Sequence, residues 1–127
     1  MDITPSVPES RLLIDSYGPG RFTVRGQVYH GPILITPTRV AEWPVGAIGD
    51  LSSQDILAIR TQDPSVEITL IGTGARMAML PSALRQELRD AGLPADPMDT
   101  GAACRTFNIL MTEGRLAGAA LLPVETD

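Results

Sequence analysis

From Glu67 onward the sequence alternates short apolar runs with helix-length segments: EITLIG, LPSALRQELRDAGL, ADPMD, GAACRTFNILMTEG and RLAGAALLP. Strands separated by helices of that length are joined by crossovers, which set neighbouring strands parallel. Such a sheet is covered on both faces, so its strands read as apolar runs rather than alternating ones. The pattern therefore predicts an α/β domain whose mixed, largely parallel central sheet is flanked by helices.

The helix ends carry their own signals. Ser52 is placed as the N-cap of LSSQDILAIRTQ, with Leu51 and Ile56 spaced as a hydrophobic staple. Pro81 suits the first turn of the next helix, and Leu84, Leu88 and Ala91 line one face of it. Gly92 falls where a left-handed residue ends that helix, with Leu93 able to pack back on Leu88. A third helix is expected from Gly101 to Glu113, stopped by Gly114. It reads as apolar nearly all round (Ala102, Ala103, Phe107, Ile109, Leu110, Met111), with a narrow polar stripe of Arg105, Asn108 and Thr112, and so as buried. Ahead of this region, RLLIDSY, RFTVRGQVYHG and PILIT are short β-rich pieces separated by Gly and Pro, the signature of hairpins. Trp43 sits in the irregular stretch VAEWPVGAIGD.

A chain of 127 residues fits one domain, expected over 11–124, with a polar arm at 1–10 and a tail at 125–127. Aromatic residues make up only 4%, so aliphatic side chains have to fill the core. The net charge is −5 and every basic residue is an arginine. An acidic balance of this kind argues against a nucleic-acid partner, which requires a basic face. The single cysteine, Cys104, rules out an intrachain disulfide. No run approaches the ~18 apolar residues of a membrane span. The opening MDITPSVPES has no basic-then-apolar order of a signal peptide, and its Asp2 and Glu9 do not suit a mitochondrial presequence. A reducing, cytoplasmic compartment is expected, with the chain a monomer or a homodimer.

Two loops are the candidate site. GTGAR (Gly72–Arg76) and MDTGAACR (Met98–Arg105) each follow a predicted strand, and ligands of open α/β sheets bind beyond the carboxyl ends of the strands. If the two strands are parallel neighbours, Thr73, Arg76, Asp99, Thr100 and Arg105 share one rim. Gly72 and Gly74 would let backbone N–H groups approach an anion. GTGAR is nevertheless no dinucleotide fingerprint, since Met77 holds the third glycine position, and no GK[ST] follows to make a P-loop. Asp99 or Thr100 can cap the third helix. Arg105 then lies close to the positive end of the helix dipole, which disfavours a cation there. Two readings account for it: an internal pair with Asp99, or one half of an anion clamp with Arg76. Cys104, with no base nearby in sequence, reads as a small buried residue, and the lone His30 carries no role by itself. Met77 and Met79 are expected to fill gaps in the core. No catalytic set, no metal-ligand spacing and no cofactor motif is present.

Four stretches resemble a known family: SYGPGRFTVRGQVYHGPILITP, Trp43 in its loop, LIGTGAR, and MDTGAACRTFNILMTEGR with the strand after it. The chain is similar in them to the MTH-type domain family of unknown function, named for a methanogen protein and including the mitochondrial NADH:ubiquinone oxidoreductase (complex I) assembly factor 3. The resemblance runs from about Ile14 to Pro123. It implies a three-layer α/β domain with an added N-terminal β-hairpin layer, and no reaction. It also implies protein partners, among them components of respiratory complex assembly, with any membrane contact made peripherally through those partners. Phe107 stands where relatives often carry tyrosine.

The expected function is thus a non-enzymatic protein-binding module, with Gly72, Thr73, Gly74, Arg76, Asp99, Thr100, Arg105 and Asn108 as its contact residues. The alternative is an anion- or metabolite-binding domain or enzyme that uses Arg76 and Arg105.

Overall fold

The computed structural model describes residues 11–43, 48–62 and 65–124. The expected arm at 1–10, the tail at 125–127 and part of the stretch after Trp43 lie outside the described residues. Eight strands and three α-helices are present among the described residues, in two sheets.

Strands β1 (Ile14–Gly18), β2 (Arg21–Val24) and β3 (Gln27–His30) form a three-stranded antiparallel sheet. Their turns follow from their residues. Pro19-Gly20 joins β1 to β2, with Gly20 at φ 69°, and Pro-Gly is the pair that a type II turn favours. Arg25-Gly26 joins β2 to β3 with both φ values positive, 52° and 77°, the geometry of a two-residue I′ hairpin. The Gly26 N–H donates to Asp15 Oδ2 at 2.9 Å, which fastens that turn to β1.

The second sheet has the order β5-β4-β8-β6-β7. Its members are β4 (Ile33–Ile35), β5 (Val40–Glu42), β6 (Ile68–Gly72), β7 (Asp96–Met98) and β8 (Ala117–Leu121). The sheet is mixed, as expected. The helix-linked strands β7, β6 and β8 pair in parallel, whereas β4 pairs antiparallel with both β8 and β5. The parallel part is limited to the strands that crossovers connect.

Three layers result. Helices α1 (Ser53–Arg60) and α2 (Ser82–Ala91) cover one face of the five-stranded sheet. Here Trp43, Ile56, Ile59, Leu84 and Leu88 pack on Ile71, Ala120 and Leu122. Helix α3 (Thr100–Thr112) and the three-stranded sheet cover the other face. There Phe22, Val24, Phe107 and Met111 pack on Ile33, Ile35, Leu70, Ala119 and Leu121. With few aromatics available, both phenylalanines are fully buried in this single cluster.

The caps fall where the sequence placed them. Ser52 and Asp55 form a reciprocal capping box at α1, and Leu51 and Ile56 are buried in one cluster. Gly92 is left-handed, and Leu93 N–H donates to Leu88 O at 2.8 Å, the hydrogen bond of a Schellman end. Gly114 ends α3 at φ 76°.

Three expectations are corrected. Ala91 is exposed, because only Leu84 and Leu88 of α2 reach the sheet. Met77 and Met79 are 52% and 60% exposed, because the segment joining β6 to α2 runs over the surface. Helix α3 is not buried all round: Arg105 and Thr112 are exposed and Ile109 is 57% exposed. One stripe of α3 is left uncovered by the two sheets.

The strand ends are joined at Thr100, which is fully buried. Its hydroxyl donates to Leu122 O at 2.6 Å and accepts from Gly74 N–H at 2.8 Å. Its own N–H donates to Gly74 O at 2.8 Å. Thr100→Val keeps the shape but strands a buried donor and a buried acceptor, so a loss of about 2–3 kcal/mol is expected. Urea denaturation measures it, and a change below about 1 kcal/mol would contradict this account.

Candidate functional site

β6 and β7 are parallel neighbours, so the two candidate loops do share a rim. Much of that rim is bonded to itself. Thr73 N–H donates to Met98 O at 2.8 Å, and its hydroxyl lies 2.7 Å from Arg76 O and 3.1 Å from Met98 O. That hydroxyl also accepts from Ala78 N–H at 3.0 Å. A Cβ at Gly72 would stand 2.9 Å from Thr100 Oγ1 and 3.1 Å from Thr100 Cα, so only glycine lets α3 start this close to β6. Thr73, Gly74 and Thr100 therefore spend polar groups on bonds within and between the two loops and to Leu122.

Asp99 is the N-cap of α3, its Oδ1 accepting from Ala102 N–H at 2.9 Å. The internal pair read from the sequence does not form: no ion pair joins Asp99 to Arg105 among the described residues, and Arg105 is exposed. Exposure also removes the difficulty that motivated the pair, since water screens a surface charge from the helix dipole. Arg76 is exposed as well, and no described cavity is lined by both arginines.

Arg105 instead borders a cleft of about 300 Å³ between β1 and α3. Ile14, Asp15, Ser16, Tyr17, Cys104 and Asn108 line it with Arg105. Tyr17 is the residue that sequence reasoning missed. It pairs across the hairpin with Phe22, which places it on the inner face of the small sheet, over the start of α3. The position a Cβ would take at Gly101 lies 2.5 Å from Tyr17 Oη, 3.3 Å from Arg105 Nη1 and 3.3 Å from Asp99 Oδ1. The glycine of DTG is thus what admits Tyr17 to the helix N-terminus. Only the nearness of SYGPG to DTGAACR in space shows this, and their 80-residue separation conceals it.

Asn108 anchors the cleft from below. Its Oδ1 accepts from Ile14 N–H and its Nδ2 donates to Ile14 O, both at 2.8 Å. The side-chain amide thereby acts as a neighbouring strand for the edge of β1, at the point where the β1–β2 register shifts.

Cys104 is buried, and burial pushes its thiol from 9.0 up to about 12, with the Arg105 charge opposing. A protonated thiol is a poor nucleophile. His30 is exposed on β3, away from these residues in the sheet order. Among the described residues no group of His, Cys, Asp and Glu has the arrangement of a metal site. No described helix is long and apolar enough to cross a membrane.

These features define a small three-layer α/β domain with a polar cleft between its accessory sheet and its last helix. Residues 14–122 match the family described as "Protein of unknown function (DUF498/DUF598)", and the chain belongs to that family. It is 38% identical over 112 residues to the human protein named NADH dehydrogenase [ubiquinone] 1 alpha subcomplex assembly factor 3, covering 88% of this chain and 61% of that protein. The zebrafish (Danio rerio) protein of the same name is 37% identical over 111 residues, covering 87% of this chain and 64% of its own length. An uncharacterised protein of Rhodobacter capsulatus is 41% identical over 113 residues, covering 89% and 86%. The chain thus spans about six tenths of the length of the assembly factors it matches.

Two solved structures show the same fold. The crystal structure of an outer membrane protein from Bartonella henselae superposes with a TM-score of 0.79 at 34% identity, covering 91% of this chain and 98% of that one. The solution structure of a Bordetella pertussis protein with an Mth938-like domain gives 0.78 at 27% identity, covering 100% and 95%. The family resemblance read from the four stretches is therefore correct.

The state of Cys104 gives a pH prediction. Its folded value lies above its unfolded one, so the stability tied to the neutral thiol is complete below pH 9 and is lost as pH rises towards 12. Cys104→Ala should flatten that alkaline decline in denaturation measured against pH. In the native protein at neutral pH, Cys104 should resist iodoacetamide until denaturant is added, and rapid native alkylation would overturn the assignment.

Proposed function

We propose that this domain is a non-enzymatic protein-binding module of the complex I assembly-factor type, which meets its partner at the β1–α3 cleft and the adjoining rim. One observation carries the reading: identity of 37–38% to proteins named as assembly factors extends across the whole folded domain. The geometry supports it. Arg105 and Tyr17 Oη converge on one spot and have no ion pair or hydrogen bond among the described residues. Ile109, one turn further along α3, adds exposed apolar surface. A guanidinium, a phenol and an aliphatic side chain together suit a protein surface that carries a carboxylate beside an apolar residue. In this reading Arg105 and Arg76 make contacts, while Gly72, Thr73, Gly74, Asp99, Thr100 and Asn108 hold the frame. Action in the cytoplasm, with membrane contact only through partners, belongs to the same proposal.

The test is affinity capture of tagged protein from gently solubilised cells, read by mass spectrometry. Enrichment of NADH dehydrogenase subunits or their assembly proteins is expected, with strong loss in Arg105→Ala and a smaller one in Arg76→Ala. Both side chains are exposed, so thermal midpoints should stay near that of the parent chain. Equal capture by the parent and Arg105→Ala would move the contact away from the cleft. The second reading, an anion or small metabolite held by Arg105 and Tyr17, is favoured instead if small carboxylates or phosphates raise the thermal midpoint and Arg105→Ala abolishes the rise.

A further inference from the structure

A second hollow of about 350 Å³ lies beside α2 and the edge strand β7 of the five-stranded sheet. Leu80, Leu88, Leu93 and Ala95 give it apolar walls, and Arg85 and Arg89 stand over it. We propose that this hollow is a docking site for an acidic amphipathic helix of another protein, an apolar side chain entering the hollow while flanking carboxylates pair with Arg85 and Arg89.

Charge is the first argument. Arg85 and Arg89 are four residues apart on one helix, a spacing at which like charges weaken the helix. Arg89 gains something from the C-terminal end of the helix dipole, but Arg85 is too near the start to do so. The acidic residues of α2 do not offset them. Glu87 accepts from Ser53 Oγ at 2.9 Å and Asp90 accepts from Gln86 Nε2 at 2.9 Å. Among the described residues neither arginine has an ion pair, and Asp96 is the single carboxylate lining the hollow. A chain with net charge −5 thus places two arginines without an ion pair over an apolar depression, which complements an apolar residue flanked by carboxylates.

The second argument is the edge itself. Thr73 N–H donates to Met98 O, so Met98 faces β6. Pro97, the alternate residue, then faces outward without an N–H to offer. An edge strand of three residues with proline at its free position resists strand addition, so the occupant that suits the site is helical. The third argument is the exposure of Met77 and Met79 on the segment leading into Leu80, because flexible thioethers adapt to varied apolar partners. An anionic membrane is disfavoured by the acidic net charge and the lack of lysine.

The experiment titrates the isotope-labelled full chain with a synthetic amphipathic peptide, with leucines on one helical face and glutamates flanking them. Amide shifts clustered at Leu80, Arg85, Leu88, Arg89, Leu93 and Ala95 are expected. Affinity should fall at least about tenfold in R85E/R89E and decline with added salt. Thermal unfolding of that variant confirms that the fold persists. R105A, which tests the β1–α3 cleft, should leave this binding unchanged, so the two sites fail or stand separately. The proposal is overturned if the acidic peptide produces no clustered shifts, if a lysine-for-glutamate peptide binds equally, if R85E/R89E binds as the parent does, or if only phosphatidylglycerol vesicles bind.

Discussion

The buried Thr100 hydroxyl is the contact on which the rest of the molecule depends. It bridges the segment after β6, through Gly74, and the end of β8, through Leu122, at the first residue of α3. Three chain segments that are distant in sequence are held at one point by a single oxygen. A buried oxygen so placed costs little while both bonds are made and a great deal if either is lost. Gly72 is part of the same constraint, because any side chain there would push α3 off the sheet. The GTG and DTG signatures are the two halves of this joint, and a ligand is not needed to explain them.

Fixing the start of α3 fixes what surrounds it. Asn108, two turns on, reaches β1 and binds Ile14 through both amide atoms. That bond seats the three-stranded sheet on α3, and the Tyr17 ring comes to lie over Gly101. The cleft is the space left between a strand held at one end and a helix that begins with glycine. Arg105 can occupy the first turns of α3 because it is exposed at this cleft, where solvent screens the dipole. Its nearness lowers the Cys104 pKa, but burial outweighs that effect and keeps the thiol protonated. A protonated Cys104 is a poor nucleophile.

The two surfaces proposed for partners lie on different layers. One is formed by α3 with the accessory sheet, the other by α2 with the sheet edge. Both surfaces also carry exposed aliphatic or thioether side chains, Ile109 on one and Met77 with Met79 on the other.

Local chemistry alone determined the helices, their caps and the crossover-linked strands. Ser52, Gly92 and Gly114 act through neighbours within a few residues, and the apolar runs of β6 and β8 report burial on both faces. The family was legible because the stretches that carry the resemblance, GTG and DTG among them, are short and local. What only the tertiary structure decided is the meaning of residues whose partners lie far along the chain. The sequence offers Asp99 to Arg105 because they are close in it, yet Asp99 is spent on a backbone N–H and Tyr17 arrives from a hairpin instead. The apolar surface of α3 and of the Met77–Met79 segment suggested burial, but how much of a helix or loop is covered depends on which layers reach it. The antiparallel place of β4 beside β8 was likewise set by global packing, since no helix-length spacing in the first half of the chain encodes it.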